Sequence, residues 1–126
     1  MKKVVLATVL SLSAVSANAA TPTQVGTALM CAGSYQHFAN LSEANGLTEQ
    51  VSTFMGARST LALWSISQMT SMGLQAGQTA SMVNSSLEKG ENLARAQIAE
   101  STNTAKTMET IHQICTPILM RAYRES

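Results

Sequence analysis

The sequence predicts an all-α fold, namely a small four-helix bundle that one disulfide closes between its first and last helices. In four successive segments of the 126-residue chain, apolar residues recur at steps of three and four, which is the period of an amphipathic helix. The turn signals Asn45-Gly46, Gly73 with Gly77, and the polar residues 101–104 separate these segments. No alternating run of Val, Ile or Thr indicates a strand.

The N-terminal residues 1–19 show the three-part pattern of a secretory signal peptide. Two lysines follow the initial Met, residues 4–15 form an apolar run, and an Ala-x-Ala step ends the segment at 17–19. The run is shorter than the roughly 20 residues that span a bilayer. We therefore predict a signal peptide at 1–19. Residues 20–126 are predicted to form a single all-helical domain that is periplasmic or secreted and has no membrane span.

The charge of the exported part excludes one class of partner. Residues 20–126 carry six basic and seven acidic side chains. The small positive net charge of the full chain therefore comes from the two lysines of the predicted signal peptide. Without a basic patch there is no electrostatic basis for binding nucleic acid. No nucleic-acid partner is predicted.

The two cysteines, Cys31 and Cys115, are predicted to form a structural disulfide. In an oxidising compartment two thiols in one small domain usually pair. Closing a loop between residues 84 positions apart stabilises a fold by roughly 4–5 kcal/mol in the chain-entropy model. Redox-active pairs are typically spaced Cys-x-x-Cys at a helix N-terminus, whereas these two cysteines are predicted in the middle of helices, on apolar faces.

Four helices are predicted, over residues 23–45, about 48–72, about 79–101 and about 105–124. Thr21 as cap with Pro22 in the first turn is a good start for helix 1. One face of helix 1 carries Ala28, Cys31, Tyr35 and Phe38. Asn45-Gly46 ends the helix because Gly adopts the left-handed conformation easily.

Helix 2 is predicted to begin with Thr48 as its cap and to carry one long apolar stripe. The members of this stripe are Leu47, Val51, Phe54, Met55, Leu61, Ala62, Met69 and Met72. Arg58 and Ser65 fall within the stripe, while Leu63 and Trp64 fall off it. Helix 2 is therefore predicted to have a second, partly apolar surface.

Gly90 and Pro117 put the continuity of helices 3 and 4 in question. Gly inside a helix costs about 1 kcal/mol, so Gly90 could break helix 3. Pro117 removes a hydrogen bond and clashes with the preceding turn. We expect helix 4 either to kink near Gln113 or to restart with Thr116 as its cap.

Arg58 and Trp64 are the candidate binding residues. A charge on an apolar stripe must be paired or must reach water along its aliphatic stem. For Arg58 this leaves three readings: a side chain that reaches water or helix carbonyls, an internal pair with Glu43 or Glu109, or a cation that receives a carboxylate from a ligand or partner. Trp64 with Leu63 is either enclosed by the bundle or part of an exposed apolar patch for a protein partner, where Trp is frequent.

No cofactor, catalytic residue or metal ligand is predicted. The sequence has no Gly-x-Ser-x-Gly elbow and no Asp, and His112-x-x-Cys115 lacks the further ligands that zinc needs. Met69-x-x-Met72 has donors that suit copper(I), but both residues lie on the predicted core stripe, where Met commonly fills gaps.

The layout resembles, in outline, that of small periplasmic acid-stress chaperones of the HdeA type, with a signal peptide, a helical domain and one cysteine near each end. The resemblance covers the layout only, because those proteins are rich in charge and this chain is 12% charged. The predicted function is that of a non-catalytic binding or envelope-stress accessory protein, not an enzyme, which meets a protein partner through an apolar helix face. The alternative is a carrier of a small ligand or of copper in the bundle interior. The oligomeric state is not indicated.

Overall fold

The computed structural model describes residues 19–126, which contain four helices and no strand. The helices are α1 Pro22–Ala44, α2 Thr48–Ser71, α3 Ala76–Glu100 and α4 Thr104–Arg124. The predicted all-α class is thus confirmed, and each helix end lies within about three residues of its predicted position. The predicted signal peptide lies outside the described residues apart from Ala19. In the described part of the chain no helix is long and apolar enough to cross a membrane.

The ends of α1 form as the sequence predicts. The Thr21 hydroxyl accepts a hydrogen bond from the Gln24 amide at 3.1 Å, and the Gln24 side chain accepts one from the Thr21 amide at 3.0 Å. This reciprocal capping box satisfies two amides that the helix itself leaves unpaired. After α1, Gly46 adopts a φ of 71°. The predicted cap of α2 is wrong, because Leu47 occupies the cap position and Thr48 is the first helical residue.

α1 lies at the centre of the molecule. The predicted apolar face of α1 is buried, but so is the opposite side, since every residue from Cys31 to Tyr35 is buried. α2 and α3 pack extensively on α1, α4 packs on it less, and the three outer helices contact each other little. The arrangement is therefore a central helix with three helices around it. The shallow spaces between the outer helices follow from this arrangement.

α1 and α3 approach each other closely at two glycines. A Cβ atom on Gly33 would overlap the backbone of Leu87, and a Cβ atom on Gly90 would overlap the backbone of Met30. Gly90 does not break α3, which is continuous from Ala76 to Glu100. Its missing side chain instead gives the α1 backbone room to approach.

The disulfide joins α1 to α4. Cys31 and Cys115 are bonded with their Cα atoms 5.7 Å apart, within the usual range for a disulfide, and the predicted pairing is confirmed. Both sulfurs lie in the core cluster. α4 passes through Pro117 as one helix and does not restart at Thr116. The Thr116 hydroxyl instead donates to the His112 carbonyl oxygen at 2.7 Å.

The buried face of α2 differs from the predicted stripe. Its buried residues are Ala57, Leu61, Trp64, Ser65 and Met69. Trp64 lies in the core, whereas Leu47 and Met72 are exposed. The predicted stripe correctly included Leu61 and Met69, but it also included the exposed residues at the two ends of α2 and placed Trp64 off the stripe. The face that packs on α1 is instead centred on the middle of α2, where the small Ala57 is buried.

Candidate functional site

Trp64 belongs to a polar network at the end of the molecule where α1 begins and α4 ends. Its indole is 4% exposed, and its Nε1 donates to Glu125 Oε1 at 2.9 Å. Arg121 Nε donates to the second oxygen of Glu125 at 2.9 Å, and its guanidinium lies 5.4 Å from the centre of the indole ring. Trp64 is therefore enclosed by the bundle. Of the exposed apolar patch considered for Leu63 and Trp64, only Leu63 is exposed.

The same network reaches the start of α1. Arg121 Nη1 donates to Gln24 Oε1 at 3.1 Å, the oxygen that also caps Thr21. The hydrogen bond from Trp64 lowers the pKa of Glu125, and the hydrogen bond and charge of Arg121 lower it further. The network thus fixes the last turn of α4 against α1 and α2.

Arg58 forms no ion pair with another residue of 19–126. Its Nε atom is buried and forms no hydrogen bond among residues 19–126. Neither Glu43 nor Glu109 pairs with it, because the ion pairs found in this range are Glu91 with Arg95 and Arg121 with Glu125. The reading of Arg58 as half of an internal ion pair is wrong. Its role in binding stays a prediction.

A histidine and a tyrosine meet between α1 and α4. The Tyr35 hydroxyl lies 2.7 Å from His112 Nδ1. Burial raises the pKa of Tyr35 to about 12, so at neutral pH this hydroxyl keeps its proton and can donate it to Nδ1. In that tautomer the proton of a neutral His112 lies on Nε2. Tyr35 also packs against Phe38 and Phe54, which makes this the aromatic part of the core.

The described residues offer no assembled metal site. No group of three or more His, Cys, Asp or Glu side chains converges anywhere in residues 19–126, and Cys115 is consumed by the disulfide. Met69 is 1% exposed in the core, whereas Met72 is 38% exposed after the end of α2. The copper reading therefore gains no support from the placement of these two methionines.

One open groove lies between α2 and α3. It has a volume of about 530 Å³, and its walls include Ile66 and Thr70 of α2 and Ala80 and Val83 of α3. No charged side chain of the described chain lines it. Leu63, one turn before Ile66, is 68% exposed and extends the apolar surface of α2 beyond the groove. We name this surface the α2–α3 groove.

A second groove follows α1 between α3 and α4. Its inner part, of about 200 Å³, includes Leu93 and Ala94 of α3 and the two bridged cysteines. Its outer part, of about 350 Å³, continues to Arg121 and Arg124. Thr27 and Ile114 line both parts, so the two cavities are successive portions of one groove. We name it the α1 groove.

These surfaces contain residues that the sequence did not single out. Ile114 is 67% exposed and Leu93 is 44% exposed, although each lies in a helix where an apolar residue normally faces inward. The i, i+4 spacing of Arg121 and Glu125 was a visible signal for an ion pair. The partners Trp64 and Gln24 come from distant helices and gave no local signal.

Comparison of the chain with protein families, with curated proteins and with solved structures finds no match. The fold and the surfaces of the molecule are therefore the basis for a functional proposal.

Proposed function

We propose that this chain is an exported, non-catalytic binding protein whose α2–α3 groove receives an apolar helical segment of another exported protein. A disulfide is what an oxidising compartment outside the cytoplasm permits, so the Cys31–Cys115 bridge supports export. The observation that carries the binding role is the groove itself, with its apolar walls and its volume of about 530 Å³.

The chemistry of this groove favours a helix as its occupant. Amphipathic helices bind hydrophobic grooves by inserting apolar side chains spaced three and four residues apart. The lining offers apolar contact and no charged side chain within the described chain. An extended strand would find no row of unpaired backbone groups there, because the walls are helices. Leu63 and Ile66 add an exposed apolar ridge along one side.

Site-specific photo-crosslinking in the cells that make the protein tests this proposal. A photoreactive residue replaces Ile66 at the groove wall or, as a control, Thr53, which is exposed elsewhere on α2. We expect an adduct of one discrete mass from position 66 and none from position 53. An adduct with the mass of two copies of this chain would contradict a heterologous partner.

A second change in the same chain shows whether the groove makes the contact. Leu63→Glu introduces a charge at a position that is 68% exposed, so the fold tolerates it, and we expect it to abolish the adduct. Met120→Glu is the matched control, since Met120 is 47% exposed on α4. An adduct that survives Leu63→Glu would refute the proposal.

A further inference from the structure

We infer that the α1 groove binds a single-chain amphiphile with one anionic head, a fatty-acid-like molecule. This site is separate from the α2–α3 groove and does not depend on the proposed protein partner. The inference combines three features of the groove: an apolar lining of its inner part, two arginines at its outer end, and an inner volume of about 200 Å³ that suits one acyl chain.

The inner part of the groove is apolar and rigid. Leu93 and Ile114 form its exposed rims, and Ile111 contributes to the lining. The Cys31–Cys115 bridge holds α1 and α4 together at this point, while the backbone contact at Gly90 holds α3 against α1. The groove is thus preformed, which lowers the entropic cost of binding.

The outer end of the groove is cationic. Arg121 and Arg124 are its only charged lining residues in the described chain, and no carboxylate lines either part. Arg121 is fixed by Glu125 and Gln24. Arg124 is exposed, and its charge acts on the neighbouring Glu125, a carboxylate that already binds Arg121. An exposed guanidinium that no hydrogen bond within residues 19–126 ties down, next to an apolar groove, is a suitable donor for a carboxylate or phosphate.

The small volume of the inner part favours a single acyl chain over a helix. From Ile111 to Arg124 the groove follows α4 over thirteen residue steps, which is about 20 Å at 1.5 Å per residue. Its inner part holds about 200 Å³, whereas a helix with its side chains is about 10–12 Å across. Together the two parts fall within the range of small-molecule sites, about 300–1,000 Å³.

Titration of the disulfide-bonded exported chain with four matched amphiphiles tests the inference. Dodecanoate, dodecyl phosphate, dodecanol and dodecyltrimethylammonium are compared by calorimetry and by native mass spectrometry, below their micelle-forming concentrations. We expect one dodecanoate per monomer, bound roughly tenfold more tightly than dodecanol, which corresponds to one charge-assisted contact. Preferential binding of dodecyl phosphate would support the same anionic-head chemistry with a lipid phosphate as its source.

Three variants locate the bound molecule. Arg124→Gln is expected to remove most of the preference for dodecanoate over dodecanol, and Ile114→Glu to abolish binding of both. The exposed Met120→Glu is expected to change neither. Equal affinity for dodecanoate, dodecanol and the cationic amphiphile would overturn the inference, as would dodecanoate binding that ignores Arg124→Gln. A dimer that Ile114→Glu dissociates would also overturn it, because a second copy would then cover the groove.

Discussion

Gly90 of α3 lies against the backbone of Met30 in α1, so closely that a Cβ atom at position 90 would overlap the Met30 carbonyl group. The Ser34 hydroxyl donates to that same Met30 carbonyl at 3.1 Å. Backbone atoms of two helices thus meet without intervening side chains, and neither helix can withdraw without exposing the buried residues of α1. This crossing is the tightest constraint on the position of α3.

Gly90→Ala is expected to destabilise the protein, because the new methyl group meets backbone atoms that cannot rotate away. Overpacking of this kind typically costs about 1–3 kcal/mol, which exceeds the gain of up to about 1 kcal/mol that Ala brings to a helix interior. Urea unfolding of the oxidised protein measures the difference. The control is Gly56→Ala in α2, where a Cβ atom meets nothing within 4 Å. That variant should be as stable as the parent or more so; equal effects at the two sites would contradict the close crossing.

Reduction of the Cys31–Cys115 bridge is expected to lower the free energy of unfolding by about 2–4 kcal/mol, the typical value for a disulfide. The bridge is the covalent link between α4 and the central helix, and α4 packs on α1 less extensively than α2 or α3 do. Denaturant unfolding with and without a reductant measures the loss. A Cys31→Ala/Cys115→Ala variant should not respond to the reductant. The disulfide would prove irrelevant to stability if the reduced parent unfolded at the same midpoint.

Glu125→Gln is expected to lower the melting temperature at neutral pH and to leave it unchanged in strong acid. The pKa of Glu125 is lowered in the folded state, so its contribution to stability is present above the carboxyl pKa of the unfolded chain. This contribution disappears as the pH falls through the folded value. Melting curves over an acid pH series measure the difference between parent and variant. Glu100→Gln, at an exposed position on α3, serves as the control; a constant difference at every pH would show that the carboxylate charge is not responsible.

Ionisation of the Tyr35 hydroxyl is expected to make the protein less stable in strong base. Its folded pKa of about 12 lies above the ordinary value of 10.0, so the folded state resists ionisation that the unfolded chain undergoes. Stability from this group is complete below pH 10 and is lost as the pH rises from 10 towards 12. Denaturant unfolding over this range, with tyrosinate absorbance as a second readout, measures the effect. Tyr35→Phe should weaken the alkaline dependence strongly. Tyr123→Phe should weaken it less, because the charge of Tyr123 comes second to burial among the causes that raise the pKa of Tyr35.

Local patterns in the sequence predicted the helices well. The Thr21–Pro22 start, the Asn45-Gly46 stop and the cysteine pairing depend on local backbone chemistry or on a forced choice between two thiols, and each appears in the structure. The sequence left the burial of Trp64 open between an enclosed and an exposed position, because that burial depends on how α2 is rotated about its axis. Ala57 and Trp64 both lie on the buried face of α2, and a stripe weighted by large side chains gives a small residue such as Ala57 too little influence.

The surfaces were harder to predict than the helices. Ile114 and Leu93 are apolar residues at helical spacing, and only the positions of α3 and α4 relative to α1 leave them exposed. The sequence shows that Arg58 is a charge within an apolar stripe. Only the packing of the helices shows that its buried Nε has no hydrogen-bond partner among the described residues. Contacts between distant helices decide each of these features, and one sequence carries little information on such contacts.

The central position of α1 has a consequence for the order in which the chain matures. Of the four described helices, α1 is synthesised first, yet its burial is complete only when α4 has been synthesised, and Cys31 bonds to Cys115 of that helix. Domains usually fold as units as their chain is produced, but here the first helix remains incomplete until the final segment emerges. The Cys31–Cys115 disulfide can therefore form only after α4 has been synthesised, and a chain that carries it holds all four described helices.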